Sequence, residues 1–95
     1  MNAIRGRVHN PDATITQIDG EIVLLDPTNP AQRLYSAGVE RDGHYNLQGI
    51  NSGSYLLFCA VWGADERFYW EIPVSLGENE SIHIDLLADT AQVLT

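Results

Sequence analysis

The run Ser54 to Trp62, SYLLFCAVW, constrains this chain more than any other stretch, because it carries no charge and almost no polar side chain. Extended, such a run shows apolar groups on both faces of a sheet, so it belongs at the centre of a core. Two breaks lead into it. Asp42-Gly43 suits a tight hairpin, since both residues tolerate positive φ, and it lies between Ala37-Gly38-Val39 and Tyr45-Asn46-Leu47. Gly49 to Gly53 supplies the second break.

The rest of the chain reads as further short strands. Ile4-Arg5-Gly6-Arg7-Val8 alternates with period two, which predicts a half-buried strand with its arginines in water, ending at Asn10-Pro11-Asp12. Ala13 to Asp19 reads as a loop anchored by Ile15 and Ile18. Ile22-Val23-Leu24-Leu25, between Gly20 and Asp26-Pro27, predicts a strand buried on both faces. Thr28 to Ala31 reads as loop from its asparagine and proline, and Leu34 to Glu40 as the next strand. Gly63-Ala64-Asp65-Glu66 returns the chain into Phe68 to Val74, where Phe68, Trp70, Ile72 and Val74 share a face and Pro73 marks a sheet edge. After the turn Leu76 to Asn79, Ser81 to Leu86 sends Ile82, Ile84 and Leu86 inward and His83 and Asp85 outward. The tail, residues 88–95, is open between helix, frayed end and start of a linker. The whole predicts one domain with its core over residues 3–87, an all-β, about seven-stranded antiparallel sandwich of the immunoglobulin-like or prealbumin-like kind.

Charge narrows the function. Thirteen acidic residues face five arginines and no lysine, a net charge of -8, which disfavours nucleic acid and anionic membrane as partners. No apolar stretch is long enough to span a bilayer as a helix, and the first residues lack the apolar segment of a signal peptide. Cys59 is the single cysteine, so no intramolecular disulfide forms. With no histidine or arginine beside it in sequence, it reads as a small buried hydrophobe.

The order of these signals resembles a known family. Ile4-x-Gly6-x-Val8, Gly20 before Val23-x-Leu25-x-Pro27, Asp42-Gly43-x-Tyr45-x-Leu47-x-Gly49-Ile50, Gly53-Ser54-Tyr55-x-Leu57 and Ile82-x-Ile84-x-Leu86 together look like the carboxypeptidase regulatory-like domains. The departure is Glu21, where that family has a small apolar residue. The resemblance implies a transthyretin-like sandwich that serves as a structural or accessory module, outside the cell or in the periplasm, rather than a catalyst. The related collagen-binding-B type domains crosslink a lysine to an asparagine, which a chain without lysine cannot do. The transthyretin-like hydrolases end in Tyr-Arg-Gly-Ser, whereas this chain ends Ala-Gln-Val-Leu-Thr.

No catalytic, cofactor or metal site is expected. His9, His44 and His83 are scattered, and His83 with Asp85 gives too few ligands for a metal. The acidic turns lack the spacing of a calcium loop. No serine sits in a nucleophile elbow. What exceeds a plain core strand is the second face of Ser54 to Trp62. With Tyr55, Leu57, Cys59 and Val61 inward, Leu56, Phe58, Ala60 and Trp62 line the outer face, which antiparallel sheets usually keep polar. Leu56, Phe58, Trp62 and Tyr69 form the expected interaction surface, unless Tyr69, the tail or the loop 13–19 covers it. The expected function is a non-catalytic interaction or spacer module contacting protein, as a homo-oligomer or against a neighbouring domain. The alternative is a carbohydrate-binding module that stacks sugars on Trp62, Tyr69 or Trp70.

Overall fold

Where side chains alternate with period two the chain is extended, and a few glycine-bearing corners decide which sheet each strand joins. The computed structural model describes residues 1–63 and 65–94, so Ala64 of the expected Gly63 to Glu66 turn and Thr95 of the tail lie outside the described residues. The strands are β1 (Asn2–Arg7), β2 (Gly20–Asp26), β3 (Asn29–Val39), β4 (His44–Ile50), β5 (Gly53–Trp62), β6 (Arg67–Leu76), β7 (Ser81–His83) and β8 (Gln92–Leu94). They form a sandwich of a three-stranded sheet, β4-β1-β7, and a five-stranded sheet, β3-β2-β5-β6-β8. Among the described residues the only helical element is a 3₁₀ turn at Ala88–Thr90.

The expected sandwich is present, with four differences in detail. The first is an eighth strand: Gln92–Leu94 of the tail pairs antiparallel with Arg67–Tyr69 of β6. The second is direction, since β7 runs parallel to β1 while the other strand pairs are antiparallel. Between β6 and β7 the chain changes sheets, and so escapes the reversal that a hairpin within one sheet imposes. Beyond His83 the alignment persists, because Ile84 N–H donates to the Arg5 carbonyl at 2.9 Å and Leu86 N–H to that of Arg7 at 3.0 Å.

The third difference is the start of β3, at Asn29 rather than Leu34. The Asp26 carboxylate accepts from the Thr28 N–H at 2.9 Å and its hydroxyl at 2.7 Å, which closes the turn in two residues and leaves Asn29 to Ala31 extended. Pro30 is tolerated because β3 is an edge strand. The fourth is the role of Asp42-Gly43. Locally it is a tight turn: Gly43 N–H donates to the Glu40 carbonyl and Glu40 N–H to that of His44, both at 2.8 Å, with Gly43 at φ +97°. Its flanking strands nevertheless belong to different sheets. Val8 N–H donates to the Gly43 carbonyl at 2.8 Å, and a Cβ on Gly43 would stand 2.2 Å from the Val8 oxygen. That close approach ties the turn to the end of β1 and draws β4 into the smaller sheet.

Between the sheets, Ile4, Val8, Ile22, Leu24, Ile50, Leu57, Cys59 and Val61 are fully buried. Each large aliphatic side chain so buried stabilises the fold by roughly 1.5 to 3 kcal/mol. Tyr55, Leu57, Cys59 and Val61 face inward as the alternation predicts, and Val23 is buried from the opposite side of β2. The core's polar atoms are satisfied. Tyr45 donates its hydroxyl to the Ile84 carbonyl, and Trp70 donates Nε1 to the Leu87 carbonyl at 3.0 Å. Buried Asn2 holds the last turn from both ends, accepting from Glu80 N–H at 2.6 Å and donating to the Gly77 carbonyl at 2.8 Å.

Candidate functional site

The register of the five-stranded sheet assembles its outer face in rows. Leu25, Leu56 and Pro73 stand side by side on β2, β5 and β6; the next row is Val23, Phe58 and Glu71. Then come Glu21, Ala60, Tyr69 and Gln92, and last Trp62, Arg67 and Leu94. A diagonal contact adds to these rows, because Tyr69 stacks on Phe58 with centroids 5.8 Å apart and rings inclined by 26°. The Tyr69 hydroxyl donates to Gln92 Oε1 at 2.9 Å, which fixes the ring against β8.

All four residues expected at an interaction surface therefore lie on one face, with different exposures. Leu56, Phe58 and Tyr69 are half-buried, each shielded by its neighbours, while Trp62 is 43% exposed. Phe58 is thus partly capped by Tyr69, one of the covers considered from sequence. The Arg67 guanidinium lies 5.4 Å from the Trp62 ring centre, a cation–π arrangement. Trp70 is on the opposite side of β6, 2% exposed, and cannot serve as a stacking platform. Every strand belongs to one of two layers, so among the described residues no third layer of strands lies over this face.

Sequence reasoning missed part of the surface. Leu25, half-buried, extends it onto β2, where Val23 is buried beneath its neighbours as expected of a strand buried on both faces, and Leu94, 54% exposed, extends it onto β8. For β2 the signal was present as an apolar block too long for a one-sided strand. For β8 three residues carry too little periodicity to read. Glu21, the departure from the family pattern, points outward between Gly38 and Ala60 and pairs with Arg33, so Ile22 and Leu24 keep the core register.

The groups with chemical potential are placed elsewhere. Cys59 is buried, and desolvation pushes its thiol from 9.0 up to about 12, which leaves it protonated and unreactive at neutral pH. Glu40, Asp42 and His44 bring one ligand atom each within 4.8 Å at the exposed corner before β4. Asp42 is occupied in shaping that corner, accepting from the His44 N–H at 3.1 Å and facing its Nδ1 at 2.9 Å. These hydrogen bonds, backbone first, hold the Asp42 carboxyl below its ordinary value of 3.8. His83 and Asp85 do point the same way, Nε2 to Oδ1 at 2.8 Å, and Asp85 also accepts from the Arg7 N–H at 3.0 Å.

Comparison with protein-family models, with curated proteins and with solved structures finds no match to this chain. Among the described residues no helix is long and apolar enough to cross a membrane.

Proposed function

We propose that this chain is a non-catalytic β-sandwich module, accessory in the manner of the carboxypeptidase regulatory-like domains it resembles. Its contact with protein is made through the outer face of the five-stranded sheet, in the first instance with a second copy of itself. The observation that carries this reading is the set of rows just described, which gathers Leu25, Leu56, Phe58, Trp62 and Tyr69 on the solvent side of the sheet around the buried Val23. Isolated apolar residues on a surface need no explanation, but a contiguous patch across three strands does.

The charges within the patch suit self-pairing. Glu21 with Arg33 lies toward one side, and Arg67 with Glu71 on β6. A two-fold interface places the same patch against itself, so a face holding both signs can meet its own copy without like charges being forced together. A sugar platform is less well served, since the Tyr69 ring is stacked on Phe58 and one side of Trp62 faces Arg67.

Sedimentation velocity of the wild type and of Leu56→Asp tests the proposal, with circular dichroism confirming that the variant stays folded. The wild type should exceed its chain mass of 10.5 kDa as concentration rises, and the variant should remain at it. A wild type monomeric throughout would overturn the self-contact. Tryptophan quenching by a panel of polysaccharides, with the monomer retained, would move the function to carbohydrate.

A further inference from the structure

The outer face of the smaller sheet differs in character from that of the larger one. Alternation along β1 sends Arg5 and Arg7 to solvent on the same side, two residues apart, hence roughly 7 Å along the strand. Register sets Arg5 between Asn46 of β4 and His83 of β7, and sets Arg7 beside His44. With His9 and Asp85 these side chains line a concavity of about 560 Å³. Two of the five arginines and all three histidines of a chain with net charge -8 therefore gather in one place.

The nearby carboxylates form no ion pair with these arginines. Asp85 Oδ1 is taken by the His83 ring and the Arg7 N–H, and Asp42 by the His44 ring and N–H. Among the described residues neither Arg5 nor Arg7 forms an ion pair, although acidic residues outnumber arginines thirteen to five. Arg7 Nε donates to the Asp42 carbonyl at 3.1 Å, which orients its guanidinium and leaves the two terminal nitrogens as donors. Two guanidinium groups on one face of β1, neither of them ion-paired, offer donors that match the oxygens of a tetrahedral oxyanion, which arginine binds in bidentate fashion.

We infer that this concavity binds a phosphoryl group, held by the guanidinium groups of Arg5 and Arg7. The group comes either as free phosphate or as a monoester whose organic part occupies the remaining volume over Gly6 and Tyr45. This site lies on the other sheet from the proposed protein contact and stands or falls separately from it.

The test is titration of the isotope-labelled chain with inorganic phosphate and with phenyl phosphate, followed by amide shifts, at ionic strength held constant with sodium chloride. Saturable shifts should be confined to residues 5–9, 44–46 and 83–85. Arg5→Gln and Arg7→Gln should each weaken binding about tenfold or more, the loss expected for a hydrogen-bonded charged group, while Arg67→Gln should leave it unchanged. Tighter binding of phenyl phosphate identifies an ester as the ligand, and equal binding identifies the free ion. Shifts that do not saturate, or that are the same in Arg5→Gln, Arg7→Gln and wild type, would overturn the site.

Discussion

At the scale of single residues, the closest contacts are made where a side chain is missing. A Cβ on Gly6 would lie 1.9 Å from the Ile84 carbonyl oxygen, the same oxygen that accepts the Tyr45 hydroxyl. Gly6→Ala must therefore push Ile84, just past the end of β7, away from β1 and break that bond. A loss of about 2 to 3 kcal/mol is expected in urea unfolding, and a loss under 0.5 kcal/mol would show that the approach is not tight. Cys59 provides a second reading of the core. Its raised thiol pKa contributes stability that is fully present below pH 9.0 and is lost as pH rises through about 12. Cys59→Ala should flatten the alkaline limb of the stability profile, and an aromatic disulfide reagent should label the wild-type thiol only as fast as the protein opens. Rapid labelling under native conditions would contradict its burial.

At the scale of elements, faces were legible in the sequence and neighbours were not. Period-two alternation correctly turned Tyr55, Leu57, Cys59 and Val61 inward, because the pleat leaves no other choice once the run is extended. The same pattern is silent on which strand lies alongside. Asp42-Gly43 carried a hairpin signal and made the corresponding turn, yet the strand after it joined β1, through the contact of Gly43 with Val8, distant in sequence and invisible to any local pattern. Ser81 to Leu86 likewise showed its inward residues but not that its partner would be parallel. β8 shows the limit most clearly. Its three exposed residues are extended because the edge of β6 is available at Arg67–Tyr69, not because of their own pattern. Removing residues 92–95 should therefore cost little global stability, on the order of 1 kcal/mol or less. Amide exchange should accelerate at residues 67–69 specifically, and a global loss of protection would contradict the peripheral role given to β8.

At the scale of the whole molecule, two layers share one core and turn unlike faces to the solvent. The five-stranded side offers Leu25, Leu56, Phe58, Trp62 and Tyr69, while the three-stranded side offers Arg5, Arg7 and the histidines. The first of these was visible in the sequence as an apolar run too long for one face; the second was visible only as arginines in water, since nothing in one dimension brings His9, His44 and His83 together. A dilution series followed by amide chemical shifts addresses the apolar face most directly, because it asks both whether copies meet and where. Concentration-dependent shifts should map to the outward residues of β2, β5 and β6, around Phe58, and vanish in Leu56→Asp. Spectra that stay constant across the series, or shifts that map to the β4-β1-β7 sheet instead, would contradict the proposed contact.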